Sequence, residues 1–329
     1  MSVAPAMPSD RSVALRRAGR HALAAVVERA LRAVPEGGAV LVAASGGADS
    51  TALSLLAVSV AARGRWRVSL GTVDHDLREG SAADADFVEG LGAWLDVPVL
   101  RERVQVSSGR QVAAAARRER YRALQSMAGV VGAEAVLMAH HAEDQFETML
   151  MRLARGSGAR AAGGMPASRR IAPGVRLLRP VLERSRNELR GLLQACGVPW
   201  REDPGNAGAD RTRGRLRHRV VAELEAMAPG AAVRASRVGR RIRAAAALLA
   251  RSARDLVPGT GPWPRSALRK APREVLAQAI RQLATDACEA EVERCVRAIR
   301  AKDTRPRRCR LGQRTLEVAV RGIRFLPRA

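Results

Sequence analysis

Val40-Leu41-Val42-Ala43-Ala44-Ser45-Gly46-Gly47-Ala48-Asp49-Ser50 decides the fold. A short apolar run enters a glycine pair, and an apolar helical stretch follows. Glycines let a backbone turn sharply and approach a ligand without Cβ clashes. Successive N–H groups in such a turn form a nest for an anion, and the positive end of the following helix adds to it. The Ser45 and Ser50 hydroxyls can donate to phosphate oxygens. The loop lacks the Gly-Lys-Ser/Thr ending of one nucleotide-binding class and the G-x-G-x-x-G of another.

Outward from this loop, strands alternate with helices. Residues 13–33 carry Leu23, Val26, Val27, Ala30 and Leu31 at helical spacing and predict one amphipathic helix. Strands are expected at 39–43, 68–73, within 97–106 and at 135–139. Helices are expected at 49–62, 81–95, 111–131 and 143–155, the second opened by Ser81 with Asp84 as a capping pair. This alternation predicts an α/β fold, a mostly parallel sheet with helices on both faces and ligands at the carboxyl ends of the strands. Residues 156–164 are rich in Gly and Ala and predict a flexible loop. Helices are expected at 185–196, 211–227, 231–256 and 272–300, and short β-like runs at 310–326. Pro229-Gly230 suggests a boundary between domains at 1–228 and 229–329, the second mainly helical with short terminal strands.

Among 329 residues, 57 basic side chains face 32 acidic ones, a formal charge of +25 that favours a polyanionic partner. Lysine occurs only at Lys270 and Lys302, so arginine would carry recognition, on phosphates or stacked on bases. Aromatic residues are 2% of the chain, too few for base stacking on aromatic platforms to dominate. Cys196, Cys288, Cys295 and Cys309 form no C-x-x-C pair, which leaves zinc and disulfide frameworks unsupported. No apolar run reaches the length of a membrane span and no secretory pattern opens the chain, so the expected location is the cytoplasm, with no membrane contact.

Three further stretches gather chemistry near strand ends. Val73-Asp74-His75-Asp76-Leu77-Arg78 follows the second expected strand. Ala116-Arg117-Arg118-Glu119-Arg120-Tyr121 lies on the long helix. Ala139-His140-His141-Ala142-Glu143-Asp144-Gln145-Phe146-Glu147-Thr148 follows the fourth strand. Helical spacing predicts an apolar stripe of Phe146, Met149, Leu150 and Leu153, with Asp144, Glu147 and Thr148 on the opposite face. The adjacent histidines suit phosphate or substrate contact, or structural hydrogen bonding, better than one shared metal ion.

The S-G-G-x-D-S loop resembles that of the PP-loop ATP pyrophosphatase superfamily (HUP-like in fold). There it grips the pyrophosphate released when ATP adenylates a substrate. Together with V-D-H-x-L-R, A-R-x-x-R-Y, A-H-H-x-x-D-Q-x-E-T and R-G-S-G, the chain resembles the bacterial tRNA(Ile)-lysidine synthetases over about residues 38–225. Arg179-Pro180-Val181-Leu182, Trp200-Arg201-Glu202-Asp203-Pro204 with Asn206, and Arg213 to Arg217 extend the likeness. Asp76 stands where a Gly is usual, Gly214 where an Asn is usual, and Ala161-Ala162-Gly163-Gly164 replaces G-L-x-G.

The resemblance implies a carbon–nitrogen ligase consuming ATP, with Mg2+. It would join L-lysine to C2 of the wobble cytidine of the isoleucine tRNA with a CAU anticodon, so that the tRNA reads AUA. The base is first adenylated, and AMP and pyrophosphate leave. Ser45, Gly46, Gly47, Ala48, Asp49, Ser50, Asp74, His75 and His140 are then expected at ATP. Asp49, Asp144 and Glu147 are expected to be catalytic, with Asp49 and Asp144 on magnesium. Arg117, Arg120, Arg213 and Arg217 are expected on tRNA or phosphate. Asp203 and Asn206 are expected to organise a turn. Residues 229–329 correspond to a helical tRNA-binding region. No obligate protein partner is implied, and a homodimer stays open. The competing readings are another PP-loop tRNA-modifying enzyme such as a thiolase, against which the cysteine spacing counts, and a non-catalytic RNA-binding protein.

Overall fold

A computed structural model of the chain describes residues 6–61, 63, 66–74, 81–104, 112–156, 158–202, 211–303 and 305–326. The chain forms two compact units, Met1–Arg240 and Arg241–Ala329.

The first unit runs α1 (Arg11–Arg20), α2 (Ala22–Leu31), β1 (Ala39–Ala43), α3 (Ala48–Ala61), β2 (Arg67–Asp74), α4 (Ser81–Leu95), β3 (Val99–Arg103), α5 (Val112–Val130), β4 (Ala133–Leu137) and α6 (Ala142–Ala154). It continues with α7 (Ala159–Ala162), β5 (Ser168–Ala172), β6 (Val175–Leu178), α8 (Arg186–Cys196), α9 (Arg211–Arg215), a π-helical turn (Leu216–Val221) and α10 (Ala222–Met227). The sheet order is β3-β2-β1-β4-β6-β5. All neighbours are parallel except β5, which pairs antiparallel with β6 at the edge.

β1 is central, and Val40, Leu41 and Val42 are fully buried. A strand covered on both faces needs apolar residues at every position rather than every second one. Val40 and Val42 join Leu70 and Leu137 in a core shared with α1 to α4 and α8. Leu41 and Val136 turn the other way, onto Leu124 and Met127 of α5. Two layers of helices thus cover one sheet, as the alternation predicts.

Three local expectations change. The single helix over 13–33 is broken at His21, whose extended backbone (φ −70°, ψ 147°) ends α1 while its Nδ1 accepts the Leu23 N–H at 3.2 Å. The apolar stripe expected on α6 is not its buried face. Gln145, Glu147 and Met149 are buried, Leu153 is 58% exposed, and Phe146 and Leu150 are half-buried. Polar burial is affordable here because partners are supplied: Gln145 Nε2 donates to Met165 O at 3.0 Å, and Gln145 Oε1 accepts Met165 N–H at 2.7 Å. The loop expected to be flexible therefore holds the one-turn α7 and is pinned to α6. Gly164 sits at φ +76°, and a Cβ there would fall 2.6 Å from the Gln145 amide oxygen. Arg152 Nη1 adds bonds to the Ala161 and Gly164 carbonyls at 2.9 and 2.7 Å.

The two compact units divide within α11 (Ala231–Leu256), between Arg240 and Arg241. Ser236 Oγ donates to Leu182 O at 2.7 Å and Arg240 Nε to Glu183 Oε1 at 2.7 Å, which ties the first turns of α11 to the first unit.

The second unit contains β7 (Trp263–Pro264), α12 (Arg265–Lys270), α13 (Arg273–Leu283), α14 (Glu289–Arg300), β8 (Arg307–Leu311), β9 (Arg314–Val318) and β10 (Gly322–Phe325). The helix expected over 272–300 is two helices. The strands form an antiparallel sheet in the order β7-β10-β9-β8. Leu276, Ile280, Val292, Ile299, Leu311 and Leu316 fill a separate core. Among the described residues no helix is long and apolar enough to cross a membrane.

Candidate active site

The glycine loop sits between β1 and α3. Gly46 takes φ +78°, and a Cβ there would meet Phe87 Cδ1 at 3.2 Å and the Asp84 carbonyl at 3.3 Å, so both conformation and space select glycine. Ser50 Oγ donates to Gly47 O at 3.0 Å and accepts Ser45 N–H at 3.1 Å, with Ser45 Oγ 3.2 Å away. The one hydroxyl hydrogen of Ser50 thus closes the loop on itself, leaving Ser45 as the freer hydroxyl. Gly46 O accepts the Arg201 N–H at 2.9 Å, and Arg201 Nε donates to Asp84 Oδ1 at 2.6 Å. Asp84 therefore ties α4 to the segment after α8 through Arg201.

At the carboxyl end of β4 the two histidines take opposite roles. His140 Nδ1 accepts a bond from Arg179 Nε at 3.2 Å, which places the ring hydrogen on Nε2. Burial, reinforced by Arg179 and Arg117 against the pull of Asp144, pushes the His140 pKa down to about 3. His141 is 4% exposed and contacts three carboxylates. Its Nδ1 lies 2.8 Å from Glu143 Oε2, and its Nε2 lies 3.4 Å from Asp49 Oδ2 and from Asp144 Oδ2. Burial opposes the charge, but Asp144, Asp49 and Glu143 outweigh it and raise the His141 pKa to about 10. His141 is thus an imidazolium joining the loop acid Asp49 to the start of α6. Glu143 also accepts the Arg186 N–H at 3.1 Å, which docks the N-terminus of α8.

One turn further along α6, Glu147 is fully buried. Arg213 Nε and Arg217 Nε each donate to it at 2.7 Å. The same guanidiniums reach Asp144 Oδ1 through their Nη2 atoms at 3.4 and 3.3 Å. Burial raises the Asp144 pKa, but His141, His140, Arg213 and Arg217 together hold it well below the usual carboxylate range. Arg213 and Arg217, expected on RNA or phosphate, lie on these acids in the structure.

Loop, α6 and α8 enclose a cavity of about 280 Å³. Ser45, Gly47, Ala48, Asp49, Ser50, His140, His141 and Asp144 line it, with Gly71 and Val73 from β2. Arg120, Arg186, Arg190, Arg201 and Arg217 bring positive charge to its wall. Of these, Arg186, Arg190 and Arg201 were not singled out as site residues from sequence, nor was His141. Arg186 Nε, Arg190 Nε and Asp49 Oδ1 are buried without a hydrogen-bond partner. Two orphaned donors suit a phosphate, and an orphaned carboxylate oxygen suits a hard cation.

Among the described residues no group of three or more His, Cys, Asp or Glu side chains is arranged to hold a metal ion. Magnesium commonly uses one or two carboxylates plus water and substrate phosphates, so Asp49 with Asp144 fits that ion without a protein cage.

Other expected residues fall elsewhere. Asp74 does not line the cavity; strand alternation turns Val73 inward, and the buried Asp74 meets Arg101 Nη2 at 3.3 Å. Arg117 lies outside the cavity, its Nη2 donating to the Tyr121 hydroxyl at 3.1 Å. His75, Asp203 and Asn206 lie outside the described residues.

Comparison with known proteins agrees with this geometry. A family model described as a PP-loop domain matches residues 20–224. The chain is 43% identical over 254 residues to a tRNA(Ile)-lysidine synthase of Salinispora tropica, covering 75% of this chain and 72% of that protein. It is 45% identical over 207 residues to the corresponding synthase of Thermobifida fusca, covering 62% of each. The Thermus thermophilus synthase is 39% identical over 269 residues, 78% of this chain and 50% of that protein. Among solved structures, a U34-tRNA thiolase from Methanococcus maripaludis with its [4Fe-4S] cluster matches at TM-score 0.58 and 14% identity. That match covers 68% of this chain and 78% of the thiolase, and it speaks for the fold alone.

Proposed function

The chain belongs to the tRNA(Ile)-lysidine synthase family of PP-loop proteins, and from that premise we infer that it ligates L-lysine to C2 of the wobble cytidine of the CAU-anticodon isoleucine tRNA. ATP adenylates the base, and AMP and pyrophosphate leave. The observation that carries this reading is one cavity in which an anion cradle adjoins a pair of acids. The cradle is the Ser45–Ser50 loop with Arg186, Arg190 and Arg201; the acids are Asp49 and Asp144, and Glu147 lies buried outside the lining, joined to Asp144 through Arg213 and Arg217.

Each part has a physical task. The loop N–H groups and the arginines balance the charge that grows as pyrophosphate departs. Asp49 and Asp144 would hold magnesium, which would supply positive charge against the phosphates when bound. Neutral His140 offers its Nε2–H as a hydrogen-bond donor at the cavity wall. The lysine ε-amine has a pKa of about 10.4, so only roughly one in 2,500 is neutral at pH 7, a penalty of about 4.6 kcal/mol. A carboxylate that stays ionised as a cation arrives, as Asp144 does, binds the ammonium; Glu147, buried outside the cavity lining, acts on Asp144 only through the shared Arg213 and Arg217. Arg213 and Arg217 set the resting state of both acids.

The thiolase alternative lacks its nucleophile here. Among the described residues no cysteine lines the cavity. The test is one incubation of the full chain with ATP, labelled lysine and an isoleucine tRNA transcript bearing CAU. Incorporated label with stoichiometric AMP is expected. Folded protein that releases pyrophosphate but transfers no lysine would overturn the assignment of the acceptor and leave the ATP chemistry in place.

A further inference from the structure

Most arginines described around the cavity of the first unit have carboxylate partners. Arg101 meets Asp74, Asp86 and Glu89; Arg190 meets Glu202; Arg201 meets Asp84; Arg213 and Arg217 share Glu147 and Asp144. One cluster departs from this. Arg169 of β5 lies over the Tyr121 ring at 4.5 Å from its centroid, and Arg117 lies at 5.3 Å from the same ring. Arg179, 3% exposed, bonds His140 and donates from Nη1 to Pro166 O at 2.8 Å. Among the described residues no carboxylate is paired with Arg117, Arg169 or Arg179. Three guanidiniums gathered around one phenol, with no carboxylate paired to them among the described residues, leave an excess of positive charge.

Packing fixes where this charge lies. Gln125 Nε2 donates to Ile171 O, which ties the β5–β6 hairpin to α5. Arg176 Nε and Nη2 donate to Ser168 Oγ at 3.1 and 2.7 Å, which braces the hairpin itself. Arg117 and Arg169 are exposed, and neither lines the cavity. Arg120 and Leu124 do line it, on the same helix and about one turn (about 5.4 Å) beyond Arg117 and Tyr121. A guanidinium stacked on a ring keeps its in-plane N–H donors for an oxyanion, and that planar fork matches phosphate. The cluster is thus open to solvent yet adjacent to the reaction cavity, as a strand of RNA entering that cavity requires.

We propose that Arg117, Tyr121 and Arg169 form a docking site for an RNA phosphodiester beside the cavity, holding the backbone next to the reacting cytidine. The proposal rests on the lysidine synthase reading and adds a positioning role for Arg169, on the hairpin. Tyr121 engages both guanidiniums, Arg169 over its ring and Arg117 near the ring and through its hydroxyl, which leaves Arg169 as the arginine with the freer in-plane donors, and Arg179 adds to the local potential. The ligand is an RNA phosphate rather than a phosphate of ATP because the two exposed arginines stand outside the nucleotide cavity.

The test uses the full chain, wild type and the variants Arg169→Ala, Arg169→Lys and Tyr121→Leu, with lysine incorporation followed at several salt concentrations. Arg169→Ala is expected to raise the tRNA KM about tenfold with little change in kcat or in the KM for ATP. It should also flatten the dependence of log KM on log salt by about 0.7, the loss of one single-strand phosphate contact. Arg169→Lys restores the salt slope but only part of the KM, since it keeps the charge and loses the plane. Tyr121→Leu reproduces the KM change. Unchanged tRNA KM and slope in Arg169→Ala would make the stack a brace of the fold. A raised KM for ATP alone would assign the anion to the nucleotide. If wild-type protein transfers no lysine, binding of a labelled anticodon stem-loop at the same salts reads the same slopes. A flattened slope there keeps the docking site although the acceptor reading has failed.

Discussion

The two units bury charge in different ways. In the first, the acids of the site are answered by side chains, although Arg179 also uses a backbone carbonyl: Glu147 takes Arg213 and Arg217, and His141 takes Asp49, Glu143 and Asp144. In the second, Arg265, 4% exposed, bonds only backbone carbonyls in the described contacts. Its guanidinium donates to Ala298, Ile299, Ala301 and Asp303 at 2.8 to 3.2 Å, where α14 ends with unpaired carbonyls and the negative end of its dipole. Pairs of opposite side-chain charges can be exchanged with a charged ligand. Carbonyls at a helix end have no such second partner and serve only the fold. Ligand chemistry therefore belongs to the first unit. The second presents its excess charge outward, with 21 basic against 8 acidic residues over 241–329.

The largest effect that can break this contrast is kinetic. Asp144→Asn removes the charge that meets His141, Arg213 and Arg217 together, and lysine transfer is expected to fall about 1,000-fold, at the scale of a positioned acid or base. Turnover close to wild type at saturating lysine would take Asp144 out of the chemistry. Next, Arg265→Ala leaves several carbonyls of the second unit unpaired and is expected to cost about 3 kcal/mol there, seen as a lowered melting transition. ATP binding should be unaffected, and an equal loss of ATP affinity would show that the two units do not divide their tasks. Third, Gly46→Ala forces a side chain to φ +78°, a cost of about 1–2 kcal/mol, with two contacts near 3.2 and 3.3 Å added. Calorimetric titration should show ATP binding about tenfold weaker with the melting of the second unit unchanged.

The parts legible in sequence were those encoded locally. The alternation from β1 to α6 and the loop at Ser45–Ser50 need only neighbouring residues to be read, and the structure carries them within a residue or two. What was not legible depends on residues far apart. The β5–β6 hairpin hides because Arg169 and Arg170 on the edge strand β5 and Arg176 on β6 break the apolar pattern of a core strand. The α6 stripe misleads because Gln145 is buried by its bonds to Met165, twenty positions away. Arg186 and Arg190 reach the cavity from α8 with nothing nearby in sequence to mark them, and Arg201 stands in the Trp200–Pro204 likeness without an assigned role. His140 and His141 look alike in the chain, and only their neighbours from Asp49 and Arg179 separate them.

That separation sets the smallest and most local prediction. His141 carries a pKa raised from 6.5 to about 10, so its stabilisation is complete below about pH 6.5 and is lost as pH rises through about 10. His140 is depressed to about 3, so its contribution is present above pH 6.5 and is lost as pH falls towards 3. The two rings therefore tilt the stability of the first unit in opposite senses on either side of pH 6.5. Above it, the unfolding free energy of the unit should fall by about 1 kcal/mol per pH unit through His141, and His141→Gln should remove that slope. Imidazole resonances read the rings directly: His141 should titrate near 10, and His140 should stay neutral down to about pH 4. Two rings titrating together near 6.5 would mean that the carboxylates of Asp49, Glu143 and Asp144 do not hold His141 charged. The contrast between a unit that trades charges and one that fixes them would then lose its central example.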